Sequence, residues 1–325
     1  MTRYFRPLPA FHGRHILAGG WVRFWQVEVL ERGHPPRISD DIPADVLDRL
    51  TAPRADLVGL SLDAPRMMGI VNATPDSFSD GGAYDPARHG DHLIRDGADI
   101  LDIGGESTRP GAAEVPVADE IARIRPAIRA LSHAPISVDT RKAAVARAAI
   151  DAGAAMVNDV SGLDFDPALA PLIAAARVPV CLMHAQGLPA TMQDDPRYGD
   201  VLLDVYDALE ARIRRAEDAG IPRDRIVVDP GIGFGKTQAH NLAILRRISL
   251  YHGLGCAILL GVSRKRFIGA IGGADDPADR SPGTLALTLA AVAQGVQLHR
   301  VHDVRGLVQG LRLWQAVNDN KKAET

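Results

Sequence analysis

From residue 67 onward the chain repeats two kinds of segment. A short apolar run ends in Asp, Asn, Gly, His or Arg, and a stretch rich in Ala, Leu and Arg with apolar residues at helical spacing follows it. Strands buried on both faces read as unbroken apolar runs, whereas helices space their apolar residues three and four apart, so the pattern predicts βα units. The predicted strands are 67–72, 100–103, 136–139, 156–159, 178–183, 226–229, 257–261 and 299–302. Residues 142–152, 167–176, 201–219 and 283–295 are predicted crossover helices. Eight such units over about 250 residues suit a (β/α)8 TIM barrel better than an open doubly wound sheet, which would more often have about five or six strands.

Residues 1–66 break the pattern. The run 21–30 (WVRFWQVEVL) alternates polar and apolar like a half-exposed strand before Gly33, Pro35 and Pro36. It predicts a β-rich extension, a hairpin or short sheet, packed as a cap over the N-terminal end of a barrel domain at 67–317. The polar tail 318–325 is expected to fray.

Composition narrows the function classes. With 37 Lys and Arg against 40 Asp and Glu the net charge is −3, so no global basic field exists to hold nucleic acid or an anionic membrane surface. Any anion site must be local. Cys181 and Cys256 stand in apolar stretches and are expected as reduced core thiols of a cytoplasmic protein. The start has no long apolar run of the secretory kind, and 285–296 is too short to span a bilayer, so a soluble protein without a targeting segment is expected.

The chemistry of a TIM barrel gathers at the C-terminal ends of its strands. Here Asn72, Asp102, Asp139, Asn158, Asp159 and Asp229 end predicted strands, and carboxylates converging on one cavity are costly unless they meet donors. A ligand rich in N–H groups would relieve that cost. Long polar loops follow the first two strands; Asp76 and Asp80 suit turn chemistry as well as function, and Arg109 could meet a phosphate bidentately. The run 229–237 (DPGIGFGKT) fails both the P-loop and the dinucleotide patterns, so its alternate glycines suggest a backbone passing close to a ligand, with Phe234 beside it. The cluster Ser263-Arg264-Lys265-Arg266 puts cations at a helix start, against the macrodipole, which points to a purpose other than helix stability. Arg300 and His302 share one face of the last strand and could clamp an anion, while His184 reads as a satisfied structural residue. No metal-ligand spacing occurs, although a Mg²⁺ carried by a diphosphate needs few protein oxygens.

Seven segments, MGIVNATPDSFSDGG, DIGGESTRPGA, SVDTRK, VNDVSG, DPGIGFGK, GVSRKRFIG and RVHDV, resemble those of the dihydropteroate synthases almost word for word and in family order. The resemblance implies a homodimeric TIM-barrel transferase that joins a pterin diphosphate to 4-aminobenzoate in folate biosynthesis. It implies Asn72 as a contact to the accompanying Mg²⁺, and Asp102, Asp139, Asn158 and Asp229 around the pterin with Met183 packed against it. Lys265 would add a hydrogen bond, and Arg109, Arg300 and His302 would hold the diphosphate. Thr108, Pro110, Phe234, Ser263 and Lys265 would shape the 4-aminobenzoate site under two mobile loops. Ala73, where many members have valine, is conservative, and the extension is longer than the family leads one to expect. The alternatives are a pterin-dependent methyltransferase, which should lack the STRPG and SRKR elements, and a non-catalytic paralog, which should have lost strand-end residues; neither sign is found.

Overall fold

A computed structural model describes residues 2–10, 12–74, 85–107, 114–187, 192 and 194–318. Eight parallel strands close a barrel: β5 (Arg66–Asn72), β6 (Ile100–Gly104), β7 (Ile136–Asp139), β8 (Met156–Asp159), β9 (Val180–Met183), β10 (Ile226–Asp229), β11 (Ala257–Leu260) and β12 (Leu298–Val301), with β12 paired back to β5. Around them run α2 (Pro86–Arg95), α3 (Val117–Ala130), α4 (Ala143–Ala152), α5 (Leu169–Ala176), α6 (Val201–Asp218), α7 (Gln238–Arg246), α8 (Arg266–Gly272), α9 (Ser281–Val292) and α10 (Val304–Asn318). The barrel is the predicted one, and each strand lies within two residues of its expected bounds. Helix starts are set locally: Asp85 caps α2 through Ala87 N, Asp200 caps α6 through Leu202 N and Leu203 N, and Thr237 forms a capping box with His240.

Strand alternation sorts the barrel's side chains into an outer and an inner set. The outer set, such as Leu101, Ile103, Val138, Val157, Leu182 and Val228, joins the large core shared with the helices. The inner set is layered. Near the N-terminal end Met68, Ile100, Met156, Cys181, Val227, Leu259 and Leu298 form a separate apolar cluster, closed from below by Leu57 and Leu62. Above this plug the next inward residues are Ile70, Asp102, Asp139, Asn158, Met183, Asp229 and Arg300, so the interior turns from wholly apolar to largely polar and charged within one pleat.

The extension is β-rich as expected but sits differently. Strands β1 (Arg3–Pro9), β2 (His15–Ile16), β3 (Arg23–Glu31) and β4 (Arg37–Ser39) form an antiparallel sheet over a small core of Leu17, Val22, Phe24, Val27, Val29 and Leu50, the last from α1 (Ala44–Thr51). This sheet lies on the flank of the barrel. Tyr4 meets the Asp207 carboxylate at 2.9 Å and the Tyr206 ring edge-on, Arg32 bridges Asp204 and Asp207, and the Trp21 indole donates to the Val292 carbonyl at 2.9 Å. The expected cap over the N-terminal end is supplied by the segment between α1 and β5, where Leu57 and Leu62 are buried against the inner apolar cluster and Val58 and Leu60 pack beside them. Arg54 ties the segment down through the carbonyls of Cys256 and His252, at 3.1 and 3.0 Å.

Candidate active site

Arg300 is the hub of the charged layer. Its Nε donates to Asp102 Oδ2 at 2.5 Å and its Nη2 to Asp139 Oδ2 at 2.8 Å, while Asn158 Nδ2 donates to the same Asp102 oxygen at 3.0 Å. Asp102 is fully buried, and Arg300 keeps 22% of its side chain exposed at the open end of the barrel. The remaining oxygens, Asp102 Oδ1 and Asp139 Oδ1, are buried without a hydrogen-bond partner, as is Ser137 Oγ one layer below Asp139. A buried carboxylate oxygen without a donor is costly, so these atoms mark where a ligand's N–H groups, or waters, belong. Burial pushes the Asp139 carboxyl up to about 7, with Arg300 opposing the shift. Asp229 completes the ring, accepting from Gly231 N at 2.7 Å, and burial raises its pKa as well. The Lys265 ammonium lies 4.1 Å over the Phe234 ring, and burial lowers its pKa to about 8 against the pull of Asp229.

On the rim, His302 Nδ1 lies 2.9 Å from Ser263 Oγ, which also accepts from His302 N. Asn72 ends β5, half-buried and paired with Gly104. Thus Asn72, Asp102, Asp139, Asn158, Met183, Asp229, Phe234, Ser263, Lys265, Arg300 and His302 all stand at one end of the barrel. Thr108, Arg109 and Pro110 lie outside the described residues, as do Asp76 and Asp80.

Three details differ from the sequence reading. Asp159 does not join the cavity: it points away from its neighbour Asn158 and accepts from Ser161 N at 2.8 Å and Leu163 N at 2.6 Å, fastening the turn after β8. Strand alternation alone forbids both residues from facing inward. Of the three cations after β11, Lys265 packs over Phe234 in the mouth and Arg266 is exposed, while Arg264 is half-buried with its backbone held by Thr284 Oγ1 and Arg280. Two of the three glycines after Asp229 pass close to backbone of the β9–α6 connection, which the sequence reading did not foresee. A Cβ on Gly231 would lie 1.9 Å from the His184 carbonyl oxygen, and one on Gly235 2.5 Å from that of Gln186.

Lys236, which the sequence did not single out, fastens this loop. Its buried ammonium contacts His184 Nδ1 and the carbonyls of His184, Gly231 and Phe234 at 2.9 to 3.2 Å. His184 therefore serves the loop, as a structural residue would, and burial first, with Lys236 adding, pushes its pKa down to about 2.

Comparisons with known proteins agree on one relationship. Residues 68–302 match the family model described as pterin binding enzyme. The chain is similar to the dihydropteroate synthase of Escherichia coli (strain K12), 42% identical over 275 residues covering 82% of this chain and 97% of the relative. Among solved structures it resembles Xanthomonas albilineans dihydropteroate synthase with 4-aminobenzoic acid, at TM-score 0.76 and 48% identity over 82% of this chain and 98% of that one. The same enzyme in complex with 7,8-dihydropteroate gives TM-score 0.74 and 45% identity over the same shares. The unmatched part of this chain is accounted for largely by the N-terminal extension, since the family match begins at residue 68.

Proposed function

The chain belongs to the pterin-binding enzyme family, among its dihydropteroate synthases, and from that premise we propose that it is the transferase joining (7,8-dihydropterin-6-yl)methyl diphosphate to 4-aminobenzoate. The observation that carries the reading is the pair of buried, partnerless carboxylate oxygens, on Asp102 and Asp139, in the charged layer that Asn158, Asp229, Lys265 and Arg300 complete. An aminopyrimidinone edge offers donors of the kind those oxygens lack.

The transfer needs no strong base. The aryl amine lone pair forms a C–N bond to the exocyclic methylene, the C–O bond breaks, and diphosphate leaves with its electron pair while the amine nitrogen releases a proton to solvent. Charge thus grows on the leaving group. Arg109 and His302 would stabilise it, and the unspent Nη1 of Arg300 would join them, its Nε and one Nη2 N–H being held by Asp102 and Asp139. The pterin carboxylates would offset positive charge on the methylene if departure runs ahead of attack. Thr108, Pro110, Phe234, Ser263 and Lys265 would enclose the second substrate.

A Mg²⁺ ion would accompany the diphosphate. Among the described residues no cluster of His, Cys, Asp or Glu could hold a metal by itself, while the amide oxygen of Asn72 at the rim suits an ion that keeps most of its waters. When bound, such an ion neutralises developing negative charge on the diphosphate.

The testing experiment follows diphosphate release and dihydropteroate formation with each substrate alone and with both. Product is expected only with both substrates, and chelation of Mg²⁺ is expected to lower the rate by at least about tenfold. Tight pterin binding without product would reject the synthase reading, and full activity in excess chelator would reject the metal.

The protein is further proposed to be cytoplasmic and homodimeric. No helix among the described residues is long and apolar enough to cross a membrane, and both cysteines are buried free thiols. The exposed apolar Ile271, Leu313 and Val317 on α8 and α10 suit a second copy of the chain. Light scattering should give twice the chain mass; a monomer at micromolar concentration would remove the dimer.

A further inference from the structure

The connection between β10 and α7 brings Phe234 to the mouth, and the reaction as described above does not use the groups that hold it there. Lys236 is 3% exposed, and its ammonium reaches four acceptors: His184 Nδ1 and the carbonyls of His184, Gly231 and Phe234. None of the four is a carboxylate. An ammonium has three donors and no acceptor, so His184 Nδ1 accepts from it and the ring proton sits on Nε2. Burial lowers the Lys236 pKa to about 7, with Asp229 opposing, so the charge is kept at a cost.

A buried cation without a counter-charge is a poor way to gain stability. Its geometry gives it another use. Phe234 N donates to the Gly231 carbonyl at 3.1 Å and closes a turn, and Lys236 bonds to the carbonyls of both residues at 2.9 and 3.0 Å. Two more side chains hold the same stretch of backbone. Asn241 Oδ1 accepts from Gly233 N at 2.8 Å, and the half-buried Tyr198 hydroxyl donates to the Gly235 carbonyl at 2.7 Å. The turn interlocks with Lys265, whose ammonium lies 4.1 Å over the Phe234 ring and whose Cδ would lie 3.1 Å from a Cβ on Gly233. Displacing the turn therefore moves Phe234 and disturbs Lys265 with it. Arg300 and His302 are bonded elsewhere, to Asp102, Asp139 and Ser263.

We propose that Lys236 is a positioning residue for the transfer: by gathering the carbonyls of Gly231 and Phe234 onto the end of β9, it sets where the Phe234 ring stands beside 4-aminobenzoate, with Tyr198 as a second, weaker tie. The proposal rests on the synthase reading and acts through Phe234, not through contact of Lys236 or Tyr198 with substrate.

The test compares Lys236→Met with two milder variants that carry it if the first fails to fold: Lys236→Gln, which keeps two N–H donors, and Tyr198→Phe, which removes one hydroxyl. In Lys236→Met, kcat/KM for 4-aminobenzoate is expected to fall by about 10- to 100-fold, mainly through KM, the scale of a misplacement near 1 Å. Lys236→Gln should recover part of the loss, and Tyr198→Phe should raise KM by about 3- to 10-fold, the range of one hydrogen bond. Inhibition by inorganic diphosphate should stay within about threefold, because its expected ligands Arg300 and His302 share no partner with the turn. In a Phe234→Ala background each change should cost less than about threefold, because coupled residues are not additive. A lower melting temperature with KM for 4-aminobenzoate unchanged would overturn the proposal, as would an equal loss with and without Phe234. The unaltered chain is assayed alongside; its failure to form dihydropteroate would overturn the synthase reading itself, whereas unchanged KM in variants of an active enzyme would overturn the proposal alone.

Discussion

Replacing Arg300 with alanine is expected to lower turnover by about 10²- to 10³-fold and to destabilise the fold by about 3 to 5 kcal/mol. Both effects come from the same two contacts. The guanidinium spans Asp102 and Asp139, so its removal leaves two buried carboxylates facing each other with only Asn158 as a donor. The pH dependence follows from Asp139. Its folded pKa, about 7, lies above its ordinary 3.8, so its stabilising contribution is complete below about pH 4 and is lost as pH rises through 7. Removing Arg300 takes away the cation that opposes that rise, and the stability deficit of the variant should therefore be larger at pH 8 than at pH 5. Urea unfolding at the two pH values measures this directly. Adding Asp139→Asn should return part of the stability without returning the rate, which separates structural repair from catalysis. Turnover within tenfold of the unaltered enzyme would remove Arg300 from the chemistry.

The second large effect is expected at Gly231. Its φ of +66° is the left-handed region, and a Cβ there would lie 1.9 Å from the His184 carbonyl oxygen. Backbone strain of about 1 to 3 kcal/mol adds to a clash that no side-chain rotation relieves, giving an expected loss of about 3 to 5 kcal/mol for Gly231→Ala. The damage would spread to the site, because Gly231 N holds Asp229 at 2.7 Å and the Gly231 carbonyl accepts from Lys236. Weakened pterin binding should thus accompany the lower unfolding midpoint. An alanine variant with stability within 1 kcal/mol and unaltered pterin affinity would show that this loop is not the rigid support described here.

Particular residues show how far the sequence alone could go. Asp102, Asn158 and Asp229 are legible as site residues because a polar side chain ending an apolar strand has few other places to go in a barrel. The alternation that places them also excludes Asp159, which was within reach of the sequence but was not drawn from it. The order and number of the strands follow from local pattern, since each βα unit carries its own periodicity.

What the tertiary structure decided are the relations between distant segments. No periodicity tells that Arg300 would divide itself between carboxylates 198 and 161 positions away, or that Lys142 would join Glu106 to Glu120. The extension illustrates both sides: its strands are written in the alternation of 21–30, but its seat against α6 and α9 depends on partners such as Asp207 and Val292. Local pattern determines which elements form because it acts through neighbouring residues. Which side chains pair is settled only when the closed barrel brings remote strand ends within hydrogen-bonding distance and excludes the water that would otherwise have satisfied them.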